Sequence, residues 1–284
     1  MAYKDILVHL DASPRSQARM KLAAEMAAEH KAHLTGLFAI EILPSTLLTG
    51  DPGLFDIRLA DEMLEQMRER GKAAAQKVEK DFLAALRKYD IRGEWRVVEM
   101  TAADAVSLHA RYADIVVVGQ TDSDAPTRQE GPRIPEAAIM SCGRPVLVVP
   151  YIGAPKTFGR NILVGWKSGR EAARAVNDAI PLLRNARSVT VLAVDPEYGF
   201  SGDGDVPAAD IALHLARHDI KATASHTPSG GVDEGDVLLN TASDQGTDLI
   251  VVGGYGRSRA NEFVFGGVTR TLLKEMTVPV LFSH

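Results

Sequence analysis

Three glycines in the second half of the chain stand at a spacing suited to holding an anion: Gly253, Gly256 and Gly266, with two and nine residues between them. Gly253 ends the apolar run Leu249-Ile250-Val251-Val252, and Gly254 follows it. Gly256 permits positive φ and a close approach of backbone to a ligand. Gly266 and Gly267 precede a helical pattern that starts near Val268 and Thr269. Free N–H groups at a helix start, next to a glycine-lined loop, form an anion cradle. Arg257 and Arg259 could add positive charge. Taken alone, the same glycines fit a tight turn equally well. A second segment, Gly165-Trp166-Lys167-Ser168-Gly169-Arg170, follows another apolar run. Lys167 there is either a phosphate ligand or a solvated surface lysine.

Other chemistry is thin. The eight histidines are scattered, and only His214 and His218 lie four apart on a helical pattern. Two imidazoles on one face do not complete a metal site. Asp203 and Asp205 in the glycine-rich stretch Gly199–Val206 lack the further oxygen ligands and the closing Glu of a calcium loop. Cysteine is a single residue, Cys142, which excludes an internal disulfide and reads as a small packing residue. No Gly-Lys-Ser/Thr phosphate loop and no Ser-His-Asp motif is present.

These residues must be positioned by a fold, and an internal repeat shows which. Lys4-Asp5-Ile6-Leu7-Val8 returns as Arg160-Asn161-Ile162-Leu163-Val164. Ala113-Asp114-Ile115-Val116-Val117-Val118-Gly119 returns as Thr247-Asp248-Leu249-Ile250-Val251-Val252-Gly253, and Arg144-Pro145-Val146-Leu147 as Val278-Pro279-Val280-Leu281. The first pair is 156 residues apart and the other two are 134 apart, so the first copy is 22 residues longer between its first and fourth strands. The extra chain lies mainly in Glu41–Lys88. That segment ends in a long helical pattern with Leu59, Met63, Met67, Val78, Phe82 and Leu86 on one side, more a packing surface than a lid.

Each copy alternates five strands with helices. The strands fall near Asp5–Leu10, His33–Ile40, Glu94–Met100, Asp114–Gly119 and Pro145–Pro150, then Asn161–Trp166, Ser188–Asp195, Lys221–His226, Asp248–Gly253 and Pro279–Phe282. Apolar runs without alternation, such as Ile115–Val118, read as strands covered on both faces. Amphipathic patterns at Ser16–His30 and Arg170–Leu183 supply the covering helices. The expectation is an α/β protein of two tandem, doubly wound, five-stranded parallel-sheet domains, residues 1–152 and 158–284. Their last strands are exposed apolar edges and should pair with each other, making an internal pseudo-dimer; two chains could associate further.

Bulk properties agree with an ordinary globular chain. Of 284 residues, 45% are hydrophobic and 24% charged, which suffices for a core in each half. A net charge of -5 gives no general attraction to nucleic acid or anionic lipid. No apolar run approaches the ~18 residues of a membrane-spanning helix, and no secretion signal is evident. A cytoplasmic setting is expected.

The glycine spacing, the first strands, the Val-Val-Gly strands and the terminal Pro-Val-Leu strands of both copies resemble the nucleotide-binding form of the universal stress protein family. The resemblance covers essentially the whole chain and implies the adenine nucleotide alpha hydrolase-like fold. It implies ATP or a related adenine nucleotide as ligand, with magnesium as a candidate companion. Carried onto this sequence, the site is Gly165, Trp166, Lys167, Ala193, Val194, Gly253, Gly254, Gly256, Arg257, Gly266, Gly267, Val268 and Thr269. Ala193 and Val194 would flank the base, and the glycines and Val268 would hold ribose and phosphates. Two departures stand out. The family carries Ser or Thr where this chain has Gly267, and an acid where it has Lys167. The first copy keeps the acid, Asp11, but has Asp122 and Pro132 in place of the second and third glycines. Asp122 would repel phosphate and Pro132 lacks an N–H. The first copy therefore reads as a degenerate site, with Asp11 structural and capping the helix that follows. The resemblance implies a non-catalytic, nucleotide-responsive stress protein with no catalytic residues. A slow ATPase and an adaptor that binds no nucleotide are the alternatives.

Overall fold

The computed structural model describes residues 2–42, 57–121, 133–196, 206, 208–255 and 266–284. The first half runs β1 (Asp5–His9), α1 (Ser16–His30), β2 (His33–Ala39), α2 (Ile57–Tyr89), β3 (Gly93–Val98), α3 (Ala102–His109), β4 (Ile115–Gly119), α4 (Ile134–Ser141) and β5 (Val146–Val149). The second half runs β6 (Asn161–Trp166), α5 (Arg170–Leu183), β7 (Ser188–Val194), α6 (Ala209–Ala216), β8 (Ala222–Thr227), α7 (Glu234–Asp244), β9 (Leu249–Gly253), α8 (Gly267–Glu275) and β10 (Val280–Ser283).

All ten strands join one sheet in the order β3-β2-β1-β4-β5-β10-β9-β6-β7-β8. Every pairing is parallel except β5 with β10, which is antiparallel in the register Val148↔Val280 and Val146↔Phe282. The two halves are thereby related by a pseudo-two-fold axis, and each covers the other's apolar edge strand. The central strands are apolar throughout because they are covered on both faces: Ile115–Val118 and Leu249–Val252 are buried residue by residue. On one face α1, α2, α5 and α6 share a continuous core that crosses from one half to the other, with Val8, Leu34, Phe82, Val176 and Leu215 among its members. On the other, α3, α4, α7 and α8 pack over Leu7, Val116, Ile250 and Phe282.

The 33-residue α2 accounts for most of the extra chain of the first copy. Its Phe82 and Leu86 are buried, and the Phe82 ring lies 5.4 Å from that of Trp95 on β3. Gly36 on β2 makes room for that Trp95 ring, since a Cβ there would come within 2.7 Å of it. Met63 is exposed and Met67 and Val78 are half-buried, so among the described side chains of the expected stripe only Phe82 and Leu86 are fully core; the Leu59 side chain lies outside the described residues.

Two matched aspartates close the amino ends of the sheets. Asp114 Oδ2 accepts from the backbone N–H groups of Lys4 (2.6 Å) and Asp5 (3.1 Å). Asp248 Oδ1 accepts from Arg160 (2.9 Å) and Asn161 (3.0 Å). Each supplies an acceptor to strand N–H groups that begin beyond their neighbour's ladder. The junction is less symmetric. Gln120, just beyond β4, donates through Nε2 to the carbonyls of Leu273 (2.9 Å) and Lys274 (3.0 Å), while its Oε1 accepts from Tyr151 N at 2.9 Å. It thus satisfies carbonyls in the last turn of α8. At the matching place stands Gly254, whose bare side faces Ile139 of α4: a Cβ would lie 2.9 Å from Ile139 Cγ2. Cys142 is a packing residue, as expected. It is buried, its thiol donates to Arg144 O at 3.3 Å, and burial pushes its pKa up.

Candidate functional site

In a doubly wound sheet the crevice for a ligand opens at the carboxyl ends of the two strands from which the chain winds in opposite directions. Those strands are β1 and β4 in the first half and β6 and β9 in the second. Because β5 and β10 run antiparallel, the two crevices open at opposite edges of the sheet.

The second crevice is floored by Gly165 and Gly253. A Cβ on Gly165 would come within 2.9 Å of Val252 Cγ1, and one on Gly253 within 2.6 Å of Ala172 N and 2.7 Å of the Glu171 carbonyl carbon. Both glycines therefore let elements close up, and the first turn of α5 rests directly on the end of β9. α8 has Gly266, which carries no side chain, at its cap position. Each of the two helix starts presents partial positive charge. Thr269 is buried and its Oγ1 accepts from Tyr255 N at 3.4 Å, so this hydroxyl ties the loop entry to α8. Tyr255 has φ 56°, a turn out of β9 that starts the glycine loop. Val268 is partly buried against the core.

Acids surround these helix starts. Glu171 is buried; burial would raise its pKa, but the Arg170 guanidinium at 2.5 Å and a backbone N–H outweigh it and hold the carboxyl below its usual range. Lys167 Nζ lies 3.3 Å from Glu234 Oε1, so the lysine at the family's acid position is itself paired with an acid. Asp233 caps α7, its Oδ1 accepting from Gly235 N at 2.8 Å. Its Oδ2 would lie 3.1 Å from a Cβ on Gly267. A Ser or Thr at 267 would crowd that carboxylate, which gives a physical reason for the glycine.

The structure thus brings Gly165, Trp166, Lys167, Gly253, Gly254, Gly266, Gly267, Val268 and Thr269 to one sheet edge, with Ala193 and Val194 at the end of β7 beside them. The Ala193 side chain is buried in the core, leaving Val194 as the more open of the pair. Gly256, Arg257 and Arg259 lie outside the described residues, as do Asp122, Pro132, Asp203 and Asp205.

The first crevice differs in a way the sequence did not signal. Arg19, on the fourth residue of α1, is buried and reaches the ends of β1 and β4. Its Nε donates to His9 O at 2.6 Å and its Nη2 to Asp11 Oδ2 at 2.7 Å. A Cβ on Gly119 would overlap its Nη1. The matching residue of the second copy is Ala175, in the core. Where α5 rests on Gly253, α1 is thus held from Gly119 by a guanidinium. Asp11 does not cap α1, contrary to expectation: Arg15 takes the cap position and its side chain does not cap the helix, while Asp11 serves Arg19 and the Ser13 N–H (2.8 Å). Burial would raise the Asp11 pKa, but Arg19 and Ser13 hold it at about 2. His9 is pushed down to about 4 by burial, then by Arg19.

Elsewhere, a cleft of about 310 Å³ opens at the amino ends of β1 and β2, away from both crevices, among Asp5, His33, Glu94, Arg96 and His109. Its guanidinium, Arg96, is engaged by Glu94 and by His109 Nδ1 at 3.2 Å. The His214 and His218 rings are 4.8 Å apart, and among the described residues no group of three or more His, Cys, Asp or Glu is placed to hold a metal ion. No helix among the described residues is long and apolar enough to cross a membrane.

Fold and crevices together define a tandem, doubly wound α/β protein of the kind that places ligands at strand carboxyl ends. The sequence pattern of the universal stress protein family matches residues 2–150 and again 159–284, and the chain belongs to that family, with two of its domains in tandem. Among solved structures it is similar to a universal stress protein from Archaeoglobus fulgidus DSM 4304, with 13% identity, a TM-score of 0.73, and 98% of this chain and 95% of that one covered. It is also similar to a functionally unknown protein from Pseudomonas aeruginosa PAO1, with 12% identity, a TM-score of 0.57, and 99% and 92% covered. At such identities the likeness is one of fold. No curated protein matches the chain.

Proposed function

We propose that the second domain binds one adenine nucleotide, ATP or a relative, at the β6/β9 edge, that the first domain binds none, and that the protein is a nucleotide-responsive regulator rather than an enzyme. One observation carries the reading: the first turn of α5 rests on Gly253 at the end of β9, and two residues further on Tyr255 N donates to Thr269 Oγ1 in the first turn of α8, so both helices start by the end of that strand. Backbone N–H groups there suit phosphate oxygens. The first crevice supports the asymmetry, since Arg19 already occupies the space beside Gly119 and neutralises Asp11. Phosphoryl transfer would need a group to orient the acceptor and ligands for magnesium. The acids at this edge instead serve Arg170, Lys167 and the α7 cap.

Calorimetric titration of the intact chain with ATP tests this, with an expected stoichiometry near one. Gly256→Asp should abolish binding without lowering the melting temperature, because in sequence the residue falls between β9 and α8. A stoichiometry of two, or unchanged affinity in the folded Gly256→Asp protein, would refute the site.

A further inference from the structure

The α8 start, where Gly266 and Gly267 are exposed, has a carboxylate of the protein's own beside it. Asp233 is exposed and stands between two helix starts. Its Oδ1 receives the Gly235 N–H of α7 at 2.8 Å, and its Oδ2 is turned toward the first residue of α8, 3.1 Å from where a Gly267 Cβ would be. The two helices are locked together here: a Cβ on Gly235 would lie 2.8 Å from Thr271 Cβ of α8. The carboxylate therefore cannot leave the neighbourhood of the cradle while it caps α7. In the first domain the matching cap of α3 is Thr101, a neutral hydroxyl that accepts from Asp104 N at 3.2 Å. The carboxylates at that start, Asp104 and Glu41, are engaged by Thr101 Oγ1 and by Ala102 N.

We infer that Asp233 is a specificity-determining residue of the second site: its carboxylate competes with ligand phosphate for the positive end of α8. This rests on nucleotide binding by that domain. A carboxylate beside a helix N-terminus gains the same stabilisation that a bound phosphate would gain, and the two anions repel. Gly267 is part of the same device, since the missing side chain leaves room for Oδ2. The crevice is consequently tuned against ligands in proportion to the negative charge they bring to α8. Triphosphates are penalised most and a nucleoside not at all.

The test is Asp233→Asn, because asparagine caps helices as well as aspartate and keeps α7 intact. Affinities for ATP and for adenosine are measured by calorimetry in EDTA, with melting temperatures recorded alongside. The expected result is about three- to tenfold tighter ATP binding with adenosine affinity unchanged. Equal gains for ATP and adenosine, no gain for ATP, or weaker ATP binding at an unaltered melting temperature would each overturn the inference while leaving nucleotide binding standing. Binding of ATP only by the variant would support the inference and correct the proposed function of the natural chain. Binding of neither ligand by either protein would overturn both. A repeat in magnesium adds one readout: if Asp233→Asn weakens binding only there, the carboxylate is a metal ligand and the competition is refuted.

Discussion

Gly119 and Arg19 should be tightly coupled, and a double-mutant cycle can read the coupling. A methyl group at 119 would overlap Arg19 Nη1. The end of a flexible side chain can usually step aside, but this one is 6% exposed and pinned to His9 O and Asp11 Oδ2. Gly119→Ala should therefore cost about 1–3 kcal/mol, the usual range for overpacking a filled site. Arg19→Ala removes two short bonds and leaves Asp11 without its partner. Breaking a fully buried pair costs about 3–5 kcal/mol. Because the Asp11 side chain is 41% exposed, water can recover part of that, and about 2–3 kcal/mol is expected. In the double variant the methyl enters space the guanidinium has vacated, so the overpacking cost disappears. Urea unfolding of the four proteins at pH 7 should show the double variant about 1–3 kcal/mol more stable than the sum of the single effects. Additivity within about 0.5 kcal/mol would refute the picture of Arg19 as the residue that fills the first crevice. Gly253→Ala is the control: its obstacles are backbone atoms of Glu171 and Ala172, so no side-chain deletion should rescue it.

Further outcomes follow from the same geometry. The folded-state pKa of Asp11, about 2, lies below its unfolded value, so its contribution is present above about pH 4 and is lost as pH falls toward 2. The stability gap between the natural chain and Asp11→Asn should therefore close across that window, and a constant gap would contradict it. His9 is likewise depressed, to about 4, so unfolding should become easier as pH falls from about 6.5 to 4. His9→Gln should flatten that part of a stability–pH curve measured in urea. Gln120→Ala removes two bonds to the last carbonyls of α8 and should cost about 1–2 kcal/mol, with faster amide exchange in α8 seen by mass spectrometry. Equal exchange in both proteins would deny Gln120 its role at the junction. Asp248→Ala leaves the N–H groups of Arg160 and Asn161 without their acceptor and should cost about 1–3 kcal/mol; a neutral result in denaturant titration would refute that role.

Much of this architecture is written locally. Strand and helix periods, together with the repeat of Asp5–Val8, Asp114–Gly119 and Pro145–Leu147, placed all ten strands within a residue or two of their observed positions. They did so because a parallel strand buried on both faces must be apolar at every position, which is visible without knowing its neighbours. The pairing of the last strands was legible for a similar reason, since an apolar edge has to be covered. The glycine segments of the second crevice were legible from spacing, and the structure sets them at one edge. What decided the character of each crevice was not legible. Arg19 sits on a helix face where its sequence context gives only a charged residue, and its burial comes from the ends of β1 and β4, ten and a hundred residues away along the chain. Asp233 reads locally as a helix cap, and so it is; that its second oxygen faces the start of α8 depends on α7 and α8 lying side by side. Local patterns record what each segment must bury, whereas charge placement at a site depends on which distant backbone ends the sheet order brings together, and only the tertiary structure fixes that.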